Sequence, residues 1–92
     1  MERQGCYSTA RVTAGRIERL ERHAARLVRD ALRLSLPAPE RAAVEAVAQE
    51  VVRRELGRGD GVVRIEWSQD PDDTERAAVL RVTTRPLGPE PA

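Results

Sequence analysis

The period of the apolar residues changes twice along this chain, and that double change restricts the fold more than any other feature. Gly5 to Val12 (GCYSTARV) gathers Tyr, Ser, Thr and Val in a short run that reads as a strand. Thr13-Ala14-Gly15 signals a turn and Arg16-Ile17-Glu18-Arg19 returns as a second short strand, so a hairpin is the economical arrangement. From Leu20 the spacing becomes helical, through Ala24, Leu27, Val28, Ala31 and Leu32, the stripe of an amphipathic helix. Pro37 and Pro39 predict its end, because proline cannot continue the hydrogen-bond ladder and disfavours helical geometry in its predecessor. A second helix is expected from near Pro39-Glu40, with Val44, Val47, Ala48, Val51, Val52 and Leu56 as its stripe and Gly57 as a left-handed cap.

After Gly61 the period returns to two. Val63, Ile65 and Trp67 alternate with Val62, Arg64 and Glu66, Gln69 to Thr74 reads as a polar turn, and Ala77 to Thr84 reads as a fourth strand. The order ββααββ implies an α+β fold, a small antiparallel sheet with two helices on one face. That domain spans residues 5–84. Residues 85–92, with three prolines and a glycine, read as a linker-like tail.

Composition narrows the chemistry. Only Tyr7 and Trp67 are aromatic, so Val, Leu, Ile and Ala must supply the core. The 92 residues make one small domain, marginal unless a partner covers a face. All 16 basic residues are arginine, which excludes from this chain any device needing a lysine amine, such as a Schiff base or a phosphate-loop ammonium. Against 15 acidic residues they leave a net charge of +1, giving no global pull toward nucleic acid or an anionic membrane. Cys6 and His23 are the single cysteine and histidine, too few for an internal disulfide or a structural zinc site. With no long apolar run and no signal peptide ahead of Gly5, a soluble, reducing, cytoplasmic setting is expected.

Arg19, Arg22, Arg26, Arg29 and Arg33 fall on one helix face, opposite the apolar stripe. Such a row serves as phosphate contacts for a nucleic acid, as a source of one arginine for a single phosphate, or as a solvated face balanced by Glu18, Glu21 and Asp30. Stacking aromatics and a glycine clamp are missing, which argues against nucleic acid as a partner. His23 borders the arginine and apolar faces and reads as structural, Cys6 as a small strand apolar residue, and Trp67 as core. Arg64 stands out as a charge in the most apolar strand. Its face is either wet or borders an anion cleft.

Three segments, in order, resemble the class IV pyridoxal-phosphate enzymes. Gly5-Cys6-Tyr7-Ser8-Thr9-Ala10-Arg11-Val12 is similar to that family's G-[VC]-F-x-T-x-R strand. Gly15-Arg16 through Leu20, with His23-Ala24-Ala25-Arg26-Leu27, resembles its G-x…L-x-x-H-x-x-R-L signature, and Val62 to Ser68 resembles the strand that carries a basic residue into a substrate loop. The resemblance covers Gly5 to Thr84, and the GC-[FY]-x-TARV wording is nearest to the 4-amino-4-deoxychorismate lyases, which eliminate pyruvate to give 4-aminobenzoate. Branched-chain and D-amino-acid transaminases are the alternative within the family, and a stand-alone binding or assembly module without catalysis is the alternative outside it.

By matching position, the resemblance implies that Arg26 holds the phosphate of pyridoxal phosphate, that Arg64 lies near the substrate carboxylate and that Tyr7 lines the substrate pocket. It assigns no catalytic residue to this chain. The cofactor lysine and the carboxylate facing the pyridinium nitrogen belong to a C-terminal domain or second chain outside this sequence, and the intact enzyme is implied to be a homodimer. The substrate loop departs from the pattern, with Gln69-Asp70-Pro71-Asp72-Asp73 where arginine and glycines are usual. Arg26 and Arg64 are expected to aim at one shared anion pocket.

Overall fold

The computed structural model of the chain describes residues 4–69 and 77–87. Its elements run β1 (Gly5–Thr13), β2 (Arg16–Ile17), α1 (Leu20–Arg33), α2 (Arg41–Leu56), β3 (Gly61–Gln69) and β4 (Ala78–Pro86). This is the α+β order ββααββ read from the periodicity. The strands form one antiparallel sheet in the order β2-β1-β3-β4. The expected turn over 70–74 and residues 88–92 of the expected tail lie outside the described residues.

Alternation puts one face of the sheet under the helices. Ser8, Ala10 and Val12 of β1 and Val63 and Ile65 of β3 are buried against Ala24, Leu27, Val44, Ala48 and Val52 of the helices. Each fully buried Val, Leu or Ile contributes about 1.5–3 kcal/mol, so aliphatic packing suffices without a phenylalanine. Trp67 is only half-buried at the rim of this core, and its indole N–H donates to the Pro37 carbonyl at 2.8 Å, tying the α1–α2 connection to β3. Leu32 and Val47, assigned to the stripes by spacing, are exposed because they fall at the margins of the buried faces. Among the described residues no helix is long and apolar enough to cross a membrane.

Local geometry differs from expectation in three places. The second strand is two residues long, because Arg19 turns into the left-handed region (φ 55) and starts α1. Helix α1 ends before the prolines act: Ser35 adopts φ 58, and the N–H groups of Ser35 and Leu36 donate to the carbonyls of Leu32 and Ala31, a Schellman closure with Leu36 buried. Strand β4 runs two residues past Thr84, so Arg85 and Pro86 belong to the sheet. The hairpin turn has positive φ at Ala14 and Gly15, the mirror-image geometry that matches strand twist. Gly15 donates to the Gly59 carbonyl, and Gln49 of α2 donates to the Gly15 carbonyl at 2.8 Å, which pins the hairpin to both the α2–β3 loop and α2.

Candidate functional site

The arginine row forms the rim of an open depression of about 580 Å³, lined by Arg19, Arg22, His23, Ala25, Arg26 and Arg29. No carboxylate lines it. Arg26 approaches Asp30 one turn on at 3.8 Å, but its side chain is 64% exposed, so the pair is weak and the guanidinium stays available. His23 sits on the same flank of α1, three residues before Arg26. Its Nδ1 lies 2.5 Å from the Ser8 hydroxyl of β1. Ser8 is buried and its hydroxyl has no other hydrogen-bond partner among the described residues, so the tautomer that satisfies it has the O–H donating to Nδ1 and the ring proton on Nε2. Burial, reinforced by Arg26 and Arg19, holds the imidazole below the ordinary histidine range, consistent with this neutral tautomer. The arrangement suits a phosphate group, with planar guanidinium forks and no competing anion.

The second set lies on the uncovered face of the sheet. Odd residues of β1 and even residues of β3 point away from the helices, and the register places Tyr7 opposite Glu66 and Thr9 opposite Arg64. The Arg64 guanidinium stacks 4.0 Å from the Tyr7 ring centroid and reaches Glu66 at 3.4 Å. Beside it is a depression of about 250 Å³ lined by Thr9, Val62, Arg64, Thr83, Thr84 and Arg85. The wet or anion-bordering face expected around Arg64 is therefore exposed sheet surface.

Tyr7 and Arg64 come together. Arg26 does not join them, and the expectation of one shared anion pocket is corrected. The physical reason is the sheet itself: Arg64 projects from the face opposite the helices, whereas Arg26 rides on α1, which covers the other face, and the two depressions share no lining residue. Sequence reasoning missed Ser8 as the partner of His23, since neither period nor spacing joins β1 to α1. It missed Thr9, Thr83 and Arg85 because strand register alone brings them beside Arg64. Cys6 is half-buried, its thiol donating weakly to the Leu27 carbonyl, and burial followed by Asp30 pushes its pKa up, so it stays a protonated thiol.

The sequence matches the amino-transferase class IV family over residues 5–92. Among curated proteins none matches the chain. Of solved structures, a fold IV transaminase from Curtobacterium pusillum superposes with a TM-score of 0.73 at 22% identity, over 94% of this chain and 30% of that one. A provisionally assigned 4-amino-4-deoxychorismate lyase gives 0.66 at 29% identity, over 95% of this chain and 32% of that one. The chain thus spans about a third of the length of these structures.

Proposed function

Because the chain belongs to amino-transferase class IV, we propose that it is the N-terminal domain of a pyridoxal-phosphate-dependent enzyme of the 4-amino-4-deoxychorismate lyase type. The match over residues 5–92 carries the reading. The lyase branch rests on the wording of β1, GCYSTARV, and on the 29% identity to the provisionally assigned lyase. The likeness to the transaminase, at 22% identity, speaks for the fold alone.

The donor set of α1 fits the phosphate of the cofactor: Arg26, with Arg22 and the Nε2–H of His23 beside it, lines a depression free of carboxylates. The carbonyl end finds no lysine in this chain. When bound, pyridoxal phosphate supplies an electron sink for bond cleavage next to the substrate nitrogen. This chain's residues bind and orient: Arg26 anchors phosphate, Arg64 offers a planar fork to a substrate carboxylate, and Tyr7 holds Arg64 by stacking and walls the substrate side. A C-terminal domain or second chain brings the reactive amine, and by itself this chain is not catalytic.

Titrating the 92-residue chain with pyridoxal phosphate tests the reading. Stabilisation of about 1.4 kcal/mol at tenfold excess over the dissociation constant is expected, lost in Arg26→Gln. Borohydride should trap no adduct on a side chain, and mixing with a separately expressed class IV C-terminal domain should raise the melting temperature. Equal stabilisation of Arg26→Gln and the parent refutes the role of Arg26. No shift with the second domain refutes the domain assignment.

A further inference from the structure

Strand β4 ends the sheet order, and among the described residues no strand covers its outer side. Its backbone parity follows from one bond. The Leu87 N–H donates to the Asp60 carbonyl at 3.0 Å, in register with the Gly61–Pro86 pair, so Arg81, Thr83 and Arg85 turn their backbone groups toward β3. Leu80, Val82 and Thr84 therefore turn theirs outward, and Pro86 falls in the outward set, where its missing N–H costs the ladder nothing. The same alternation puts the half-buried side chains of Leu80, Val82 and Thr84 on the helix side and leaves Arg81 and Arg85 exposed on the other face. Helix α2, which packs on β4, extends the apolar side. Gln49 reaches across to Gly15 at the β2 end of the sheet, and Val47 and Val51 lie about 160° round the helix from it, on the flank toward β4. Val47 is 43% exposed and Val51 half-buried, so an open apolar shoulder borders the strand edge.

We propose that the β4 edge takes a further strand from another polypeptide, an extended antiparallel segment in which carboxylates alternate with apolar side chains. A row of unpaired N–H and C=O groups is a template for such an addition. Opposite Leu80, Val82 and Thr84 the added strand forms hydrogen-bonded pairs, and its apolar side chains there lie on the helix side, toward Val47 and Val51. Opposite Arg81 and Arg85 it forms non-hydrogen-bonded pairs, in which side chains approach more closely, so carboxylates at those positions meet guanidinium groups. Neither arginine has an ion-pair partner among the described residues. A second copy of this chain is the poorer occupant. Residues 78–86 hold no carboxylate, so pairing β4 with itself lines the seam with the arginines of both copies and nothing to offset them. The charge of the edge thus selects the partner, and the inference is independent of the cofactor reading, which concerns α1.

The experiment is amide hydrogen exchange of the 92-residue chain, followed by NMR at low ionic strength, with an acetylated peptide that alternates glutamate and valine and a counterpart that alternates lysine and valine. The glutamate peptide is expected to slow exchange at Leu80, Val82 and Thr84, whose outward N–H groups exchange fast in the free chain, and to leave Arg81 and Thr83, already bonded to β3, unchanged. The lysine peptide should bind about tenfold more weakly or not at all. Arg81→Glu should reverse that preference. Val82→Pro removes an outward N–H and no bond to β3, so it should abolish protection at Leu80 and Thr84, and if this variant does not fold the Arg81→Glu reversal decides alone. Equal binding of the two peptides, protection that skips the outward amides, no protection at all, or an unaltered preference in Arg81→Glu each overturn the proposal. Self-association of the free chain that protects the same three amides also overturns it, since a second copy then fills the edge.

Discussion

The Ser8–His23 contact joins β1 to the helix that carries Arg26, and its removal has a calculable cost. Ser8 is 5% exposed, and among the described residues the His23 imidazole is the one hydrogen-bond partner of its hydroxyl. His23→Ala strands a buried hydroxyl, which costs about 1–3 kcal/mol, and adds the loss of a half-buried ring. Ser8→Ala removes the hydroxyl itself and leaves a half-exposed imidazole that water can satisfy, so about 0.5–1.5 kcal/mol is expected. Once Ser8 is alanine, losing His23 no longer orphans anything. The double variant should therefore be less destabilised than the sum of the singles, by about 1–2 kcal/mol. A chain of this size has a total stability of about 5–14 kcal/mol, so the effect is large enough to resolve. Urea unfolding followed by the fluorescence of Trp67, the single tryptophan at the core rim, measures all four corners of the cycle. Additivity to within about 0.5 kcal/mol refutes the contact as an energetic link. The same pair predicts a pH dependence. Burial, then Arg26 and Arg19, depress the folded-state pKa of His23 below the ordinary 6.5, so the unfolded chain takes up the proton first as pH falls. Relative to His23→Gln, the parent should keep full stability above pH 6.5 and lose it as pH drops through the depressed folded-state value. A flat difference between the two over that window refutes the sign.

Other perturbations follow from the fold. Gly15→Ala drives a Cβ into the Gly57 carbonyl oxygen at φ 78, so a loss of about 3 kcal/mol or more is expected by denaturant midpoint, and a loss under about 1 kcal/mol refutes the close approach. Ser35→Gly should stabilise by up to about 1 kcal/mol, since the Schellman position holds φ 58 with a Cβ to strain it; a lower melting temperature overturns the cap geometry. Leu27→Ala, at 1% exposure, should cost about 2–5 kcal/mol by the same urea assay, and a value below about 1 kcal/mol contradicts its central place in the core.

What the letters revealed and what they hid divide along a physical line. Period identifies elements and faces: alternation with Val63 and Ile65 already put Arg64 on the side away from the core, and the spacing of Leu20, Ala24 and Leu27 put Arg26 on the outward side of its helix. Period sorts residues within each element; what separates Arg26 from Arg64 is the layering that joins the elements, with the helices over the Val63 and Ile65 face. Nor does period reveal positive φ at non-glycine residues. Arg19 and Ser35 set both ends of α1 with geometry that no propensity would assign to them. Arg85 was hidden for a third reason, since the proline after it suggested a tail, whereas an edge strand tolerates proline at its last position.

The layered separation still leaves one route by which a single cofactor–substrate pair could use both arginines. β1 pairs with β2 only at Val12 and Thr13, and the Glu18 N–H takes the Arg11 carbonyl. By the alternation of an antiparallel ladder, the backbone groups of Tyr7 and Thr9 then point off the same side of β1, beyond the end of that short pairing. His23 anchors the Arg26 flank of α1 to β1 at Ser8, and Tyr7 with Arg64 occupies the other face of that strand. A ligand pair contacting both must therefore wrap round the β1 edge between Gly5 and Arg11. If it does so, pyridoxal phosphate titrated into the chain should perturb the amides of Tyr7 and Thr9 together with those around Arg26, and leave β4 quiet. Shifts confined to α1 would mean that the phosphate site and the sheet-face site act on separate molecules, and the proposed sharing of one reaction between them would fail.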